Sequence, residues 1–335
     1  MSEKRATIKD VASLAGFSTA VVSYVLNDSK EKTIPQVTKD KVWEAARKLG
    51  YVPNSIARNM RAQASMSIGV VPYWSMETTV FAQMLQGILD SCDAARYSTL
   101  LCKPRSGENA FSYLDDVYRK RVDGLIFICP PENSMILNEK EHADKMREAG
   151  VPFVMINSHT DLKETACVDI DYAGSTRLVT EYLISLGHKK ITYIAPLQSA
   201  EMECRLRLEG YRQAMQKHNL PEDAADCSAL PEKISACTAI VTNKSETARL
   251  VLQEAIRQGI SVPDQLSVAA GNTEAYSEML FPPLTTAKIP SWEIGKQAVE
   301  MVLEQIRGKA EGFPQILPCE LKIRSSTAEY QEGAK

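Results

Sequence analysis

The sequence predicts an all-α helix-turn-helix headpiece followed by an α/β body of two lobes, each a doubly wound parallel sheet. Three observations predict it. Residues 7–27 read as two short amphipathic helices joined at a glycine. Residues 1–61 hold 11 Lys+Arg against 6 Asp+Glu, about +5, whereas the whole chain is −3, which leaves about −8 for the rest. From residue 67 onward, short apolar runs alternate with amphipathic stretches, the pattern of strands and crossover helices in a parallel sheet. A basic end on an acidic body is the electrostatic footprint of a nucleic-acid binder.

Thr7 is placed to cap the first helix, with Asp10 three residues on as a variant capping box. Ile8, Val11, Ala12 and Ala15 then form one apolar stripe. Gly16 permits a sharp turn, since glycine takes left-handed angles without steric cost. Ser18 caps a second helix that carries Val21, Val22, Val25 and Leu26 on one side. Its other side shows Thr19, Ala20, Ser23, Tyr24 and Asn27, small or hydrogen-bonding groups suited to a major groove. Taken alone, this is also an ordinary helical hairpin; the charge separates the two readings. Residues 36–49 form a third helix whose Val37, Val42, Ala45, Ala46 and Leu49 face the first two, with Gly50 as its stop. Pro35 is tolerated at its start because that first-turn N–H is unpaired anyway. Residues 53–61 span barely two turns, too short for a stable isolated helix.

The residues Thr7-Ile8-Lys9-Asp10-Val11-Ala12, Ala15-Gly16, Ser18-Thr19-Ala20, Val22-Ser23 and Val25-Leu26-Asn27 carry a resemblance, as do Gly50-Tyr51-Val52-Pro53-Asn54, Ala57-Arg58 and Met60-Arg61. The chain resembles the LacI/GalR family of bacterial transcription regulators. The resemblance implies that residues 53–61 are a hinge helix that orders on DNA, paired in a dimer and lying in the minor groove. Met60 stands where the family most often has leucine, a wedge between base steps, with Ala57, Arg58 and Arg61 beside it. Thr19, Ala20 and Tyr24 take the base-reading positions. Many members carry arginine at the place of Tyr24, and tyrosine cannot make its bidentate guanine contact, so the half-site should differ there. The other reading of Tyr24 is a phosphate contact through its hydroxyl. Thr7, Ser18, Ser23, Asn27, Tyr51 and Asn54 suit phosphate, which positions without specifying.

The body's apolar runs are residues 67–72, 98–102, 124–129, 152–157, 190–195, 238–242 and 267–270, and its helical stretches fall near 80–96, 108–121, 139–149, 173–186, 203–218, 245–258 and 291–307. Some 270 residues of this pattern is too much for one sheet. Family motifs recur, among them Val122-Asp123-Gly124-Leu125-Ile126, Leu186-Gly187-His188 and Pro282-Pro283-Leu284-Thr285-Thr286. They imply a periplasmic-binding-protein-like body whose chain crosses between lobes three times, near 168–171, 287–290 and 317–320. The division expected is 1–52 headpiece, 53–66 hinge and linker, and 67–335 effector-binding and dimerisation domain, with an N-lobe of 67–169 and 290–318 and a C-lobe of 170–288 and 319–330.

Ligands of such sheets sit off the carboxyl ends of the strands, here between the lobes. Arg207 matches the family arginine that meets ligand at the cleft floor; the plainer reading is a surface salt bridge to Glu203 or Glu209. Tyr73, Trp74 and Phe81 follow the first strand, where one could stack on a sugar face or all could pack in the lobe. The family's common Asn-Asp after residue 242 is here Lys244-Ser245, and its Phe-Asp-Asp after Gly271 is Asn272-Thr273-Glu274. Lys244 suits an anionic or phosphorylated ligand, or points to solvent. Thr273 replaces the acceptor that many sugar binders use. A sugar or sugar phosphate is the expected effector, and a co-regulator protein the alternative.

Other classes are set aside. The chain has no G-x-G-x-x-G, no G-x-x-x-x-G-K-[ST], no H-E-x-x-H and no G-x-S-x-G, so no enzyme, cofactor or metal is expected. No signal peptide or membrane span is read, and the eight scattered cysteines without a C-x-x-C suit reduced thiols in the cytoplasm. His188 is expected to end a helix, charged against its dipole. No leucine heptads follow Arg324, so a homodimer on a pseudo-palindromic double-stranded DNA operator is expected rather than a tetramer. A solute-binding protein that happens to begin with a helical hairpin is the competing class, and it would need no basic hinge.

Overall fold

The computed structural model describes residues 6–26, 34–51, 64–103, 105, 107–131, 137–158, 165–199, 201–309 and 314–331. They divide into two units, residues 1–65 and 66–335. In the first, α1 (Ile8–Ala15) opens as expected: the N–H and the hydroxyl of Thr7 both donate to Asp10 Oδ2, at 2.8 and 2.7 Å. Gly16 then turns left-handed at φ 75°, and its N–H and that of Phe17 close onto the carbonyl of Ala12. Ser18 Oγ accepts from Val21 N–H at the start of α2 (Thr19–Leu26). The third helix, α3 (Gln36–Lys48), begins directly after Pro35, and Gly50 follows it at φ 58°. Val11, Ala12, Val22, Val25, Leu26, Val42, Ala45 and Ala46 form the headpiece core. Val37 does not join it and is 67% exposed. Five residues before Val42, it lies roughly 140° around the helix from that side chain, so both cannot face inward.

The second unit holds two six-stranded sheets. The first contains β1 (Ser67–Pro72), β2 (Ser98–Leu101), β3 (Gly124–Ile128), β4 (Phe153–Ile156), β5 (Cys167–Ile170) and β11 (Gln315–Leu317), in the order β11-β5-β4-β3-β1-β2. The second contains β6 (Ile191–Ile194), β7 (Ala224–Ala225), β8 (Ala239–Thr242), β9 (Ser267–Ala270), β10 (Thr285–Lys288) and β12 (Glu320–Lys322), in the order β12-β10-β9-β8-β6-β7. Every neighbouring pair is parallel except β10 with the edge strand β12. The chain passes from first sheet to second after Ile170, back after Lys288, and over again between Leu317 and Glu320.

Helices cover both faces of each sheet. On the first, α4 (Thr79–Ala94) and α11 (Ser291–Ile306) bury one face, while α5 (Leu114–Tyr118) and α6 (Glu139–Glu148) bury the other. On the second, α7 (Tyr172–Ser185) and α8 (Met202–Lys217) lie on one face, and α9 (Leu230–Lys233) and α10 (Ser245–Gln258) on the other. The helix expected over 108–121 is reduced to a 3-10 turn at Gly107–Asn109 and the short α5, because Lys120 turns left-handed at φ 54° and ends it. In each sheet the order reverses beside its first strand, at β1 and at β6. Such a reversal opens a crevice at the carboxyl ends of the strands.

The eight cysteines are free thiols, six of them buried, and burial pushes Cys102 up to about 12. No helix among the described residues is long and apolar enough to cross a membrane. His188 departs from expectation: α7 ends at Ser185, and the ring is buried between Thr238 Oγ1 and Ser267 Oγ, each at 3.0 Å. Burial lowers its pKa, so it is held neutral rather than charged against a helix end. His142 is likewise buried, packed among Phe111, Tyr113 and Phe127, and desolvation lowers it from 6.5 to about 4. As pH falls, the unfolded chain therefore takes up this proton first. The stability His142 contributes is complete above about 6.5 and declines towards about 4. Denaturant titrations at two pH values check this: His142→Gln should lose less stability between the upper and lower end of that window than the parent chain. Equal losses would remove His142 from the acid response.

Candidate nucleic-acid interface and ligand cavity

In the headpiece, Ser18, Thr19 and Ala20 are exposed at the start of α2, where a helix presents its first turn. Thr7 is exposed at the start of α1, and Ser23 and Tyr24 are half-buried. Tyr51 packs against the headpiece core, its N–H bonded to the carbonyl of Ala46. Asn27, Asn54, Ala57, Arg58, Met60 and Arg61 lie outside the described residues.

In the body, a cavity opens at the carboxyl ends of both sheets. Its walls include Trp74 just past β1, Tyr172 past β5, Lys244 past β8, Asn272 past β9 and Ile289 past β10. Arg207 on α8 forms part of its floor and is 1% exposed, so the surface-bridge reading of this residue is corrected. Its Nη1 donates to the carbonyl of Asn243 at 2.6 Å, and its guanidinium stands 5.0 Å from the centre of the Tyr172 ring. Glu203, one turn earlier, is also buried, with Oε2 3.8 Å from Arg207 Nη2. Arg207 Nε has no hydrogen-bond partner among the described residues. A buried guanidinium with an unspent donor is uncommon in a folded protein. Gly271 makes room for it: a Cβ there would meet Arg207 Nη1 and Thr176 Oγ1, each at 2.8 Å.

Lys244 is neither free for an anion nor turned to solvent. Its ammonium pairs with Glu203 and lies 3.8 Å from Glu201. Burial works to lower its pKa, but the two carboxylates outweigh that and raise it. The donor atoms of Glu201, Glu203 and Cys204 lie within 4.8 Å of one another. Lys244 already takes both carboxylates, and burial raises the Cys204 thiol, so this group offers a metal ion little. The cavity measures about 90 Å³. Small-molecule sites usually run from about 300 to 1,000 Å³.

Residues 7–54 match bacterial regulatory proteins of the lacI family, and residues 180–327 match a periplasmic binding protein-like domain. The HTH-type transcriptional repressor PurR of Haemophilus influenzae (strain PittEE) is 31% identical over 346 residues, covering 96% of this chain and 98% of that protein. The chain belongs to the lacI family. PurR of Histophilus somni (strain 129Pt) is 30% identical, over 96% of this chain and 98% of that protein. Among solved structures, the lac repressor dimer bound to operator and the anti-inducer ONPF superposes with a TM-score of 0.72 at 27% identity, covering 97% of this chain and all (100%) of that chain. The transcriptional regulator CelR in complex with cellobiose, at 23% identity and a TM-score of 0.65, shares the fold.

This lacI-family regulator thus has the headpiece and two-sheet body that the sequence predicts, and it is a DNA-binding transcriptional regulator. Two side chains expected at the effector site, Tyr73 and Phe81, are elsewhere. Tyr73 packs on the other face of the first sheet from Trp74, against the cluster that holds Phe127. Its ring stacks 5.1 Å from Phe127 and its hydroxyl donates to the carbonyl of Arg105. Phe81 is 1% exposed and packs in the lobe core with Met84 and Ile88. Thr273 spends its hydroxyl on Thr286 Oγ1 at 2.6 Å and on the carbonyl of Ala287; it is not a wall of the Arg207 cavity but lines the larger space next to it. Trp74, 8% exposed, does line the cavity. Tyr172 and Glu274 as walls, and Glu203 as a buried carboxylate, are not expected from the sequence. The Glu203–Arg207 spacing of one helical turn was the available signal for the last.

Proposed function

We propose that this regulator is a repressor that binds a pseudo-palindromic operator as a homodimer and answers to a small molecule in the Arg207 cavity. The observation that carries the effector half is the buried Arg207 guanidinium among the walls of a cavity at the carboxyl ends of both sheets. Residues 1–52 read the DNA, with Thr19, Ala20 and Tyr24 at base edges and Thr7, Ser18, Ser23, Asn27, Tyr51 and Asn54 at phosphate. Residues 53–66 are the hinge and linker, with Ala57, Arg58, Met60 and Arg61 in the minor groove. Residues 67–335 hold the ligand and pair the subunits. The protein is not an enzyme and works in the cytoplasm on the nucleoid.

In this reading ligand closes the cleft, the lobes rotate, and the separation of the two hinges changes. That biases the equilibrium between ordered and disordered hinge segments, so ligand and operator are coupled. The experiment is a mobility-shift titration on palindromic fragments across a salt series. Groove binding requires log affinity to fall with log salt by about 0.9 for each phosphate neutralised. Sugars and sugar phosphates, first ranked by thermal shift, are then added at one salt concentration, and a true effector changes operator affinity. A flat salt profile would return the chain to the solute-binding reading.

A further inference from the structure

Beside the Arg207 cavity lies a second, larger space of about 470 Å³. Val80, Glu274 and Ile289 are walls of both. The 90 Å³ cavity is too small for an ordinary effector, so a ligand that reaches Arg207 has this neighbour to extend into. The chemistry of the second space is cationic on one side: Lys288 ends β10, Lys322 ends β12, and Arg324 follows it. Arg324 is a fixed wall, donating to the carbonyl of Leu284 and to Thr286 Oγ1, and paired at 2.8 Å with the exposed Glu278. Lys322 pairs with Glu320 at 2.7 Å, an exposed pair of small worth that a better anion displaces. Lys288 has no carboxylate within ion-pair distance among the described residues. Thr79 and Ser291, at the N-terminal turns of α4 and α11, each 16 residues long, are walls of the same space. Pro290 precedes α11 and offers no side chain to its first N–H groups. Glu274 and Glu278 are the acidic walls; the second is already taken by Arg324, and burial raises the pKa of the first.

We propose that this pocket is an anion subsite, in which Lys288 and Lys322 hold a phosphate group against the wall that Arg324 braces, the phosphate being free or the ester end of an effector whose other end reaches Arg207. This rests on the reading of the Arg207 cavity as the effector site. It also relocates the anion that the sequence had assigned to Lys244, whose charge is spent on Glu203 and Glu201. Charge-assisted hydrogen bonds to phosphate oxygens from the two movable ammonium groups supply the affinity.

The test uses the full chain and two probes, inorganic phosphate and glucose 6-phosphate, read by calorimetry and thermal shift with sodium chloride holding ionic strength constant. Three proteins are compared: the parent, Lys288→Gln with Lys322→Gln, and Trp74→Ala. Saturable phosphate binding in the parent, at least tenfold weaker in the double variant and within twofold of the parent in Trp74→Ala, is the expected result. Tighter binding of the ester than of the ion marks an esterified ligand, and equal binding marks the free ion; both need the subsite. A phosphate response no larger than that of chloride, or one that survives in the double variant, overturns the proposal. An ester response that Trp74→Ala leaves unchanged strikes the Arg207 cavity alone and leaves the anion subsite standing.

Discussion

Arg207→Met is expected to destabilise the body by about 3–5 kcal/mol, the range for breaking a buried charge pair from one side, and to abolish the effect of any cavity ligand on operator binding. The substitution strips the carbonyl of Asn243 of its donor and removes the cation over the Tyr172 ring. Glu203 keeps Lys244 as a partner, which places the loss towards the lower end of that range. Methionine fills similar space, so the packing around Thr176 and Gly271 is not the cause of what is lost. Denaturant midpoints give the first number, and operator titrations with and without effector give the second. A variant that still answered the effector fully would take Arg207 out of the site, whatever its stability.

Gly210→Ala should act on the same site from behind. A Cβ on Gly210 would stand 1.9 Å from the carbonyl oxygen of Ala173 and 2.7 Å from its carbon. The obstacle is backbone of α7, not the end of a side chain, so α7 and α8 must move apart. Overpacking of this kind costs about 3 kcal/mol, the upper part of its usual range. Arg207 lies three residues before Gly210, on the same side of α8, so the shift carries the guanidinium with it. Loss of stability together with weaker ligand binding is expected, by thermal shift on the full chain. A variant as stable as the parent would mean that the two helices are not held this close.

How much of this was legible in the sequence depended on whether the signal was local. The turn at Gly16, the caps at Thr7 and Ser18 and the strands at 67–72 and 267–270 all declare themselves within a few residues. The strand Cys167–Ile170 was missed as a separate element because Asp169 interrupts its apolar run. Thr285–Lys288 was missed because buried threonines read as polar; Thr285 N–H is in fact satisfied by Ser326 Oγ, 41 residues on. The cavity shows the same limit. Arg207 came from a motif, but the partner that neutralises Lys244 sits 41 residues away in the chain, and no spacing rule reaches it. Tyr73 and Trp74 are neighbours in the chain but pack in clusters on opposite faces of the first sheet, which only the assembled sheet shows. The phosphate subsite gathers Lys288 and Lys322 from the antiparallel pair β10 and β12, a pairing invisible before the second sheet is assembled.

The central claim is that a basic three-helix module at the N-terminus, doubled by the body, grips the operator. The most direct measurement is operator affinity of residues 66–335 against the intact chain, across one salt series, with circular dichroism and sedimentation run on both. The shortened chain should keep its α/β signature and its dimeric mass, still bind the cavity's ligand, and show no measurable salt-dependent hold on the fragment. Equal affinity and an equal salt slope in the two proteins would contradict the claim.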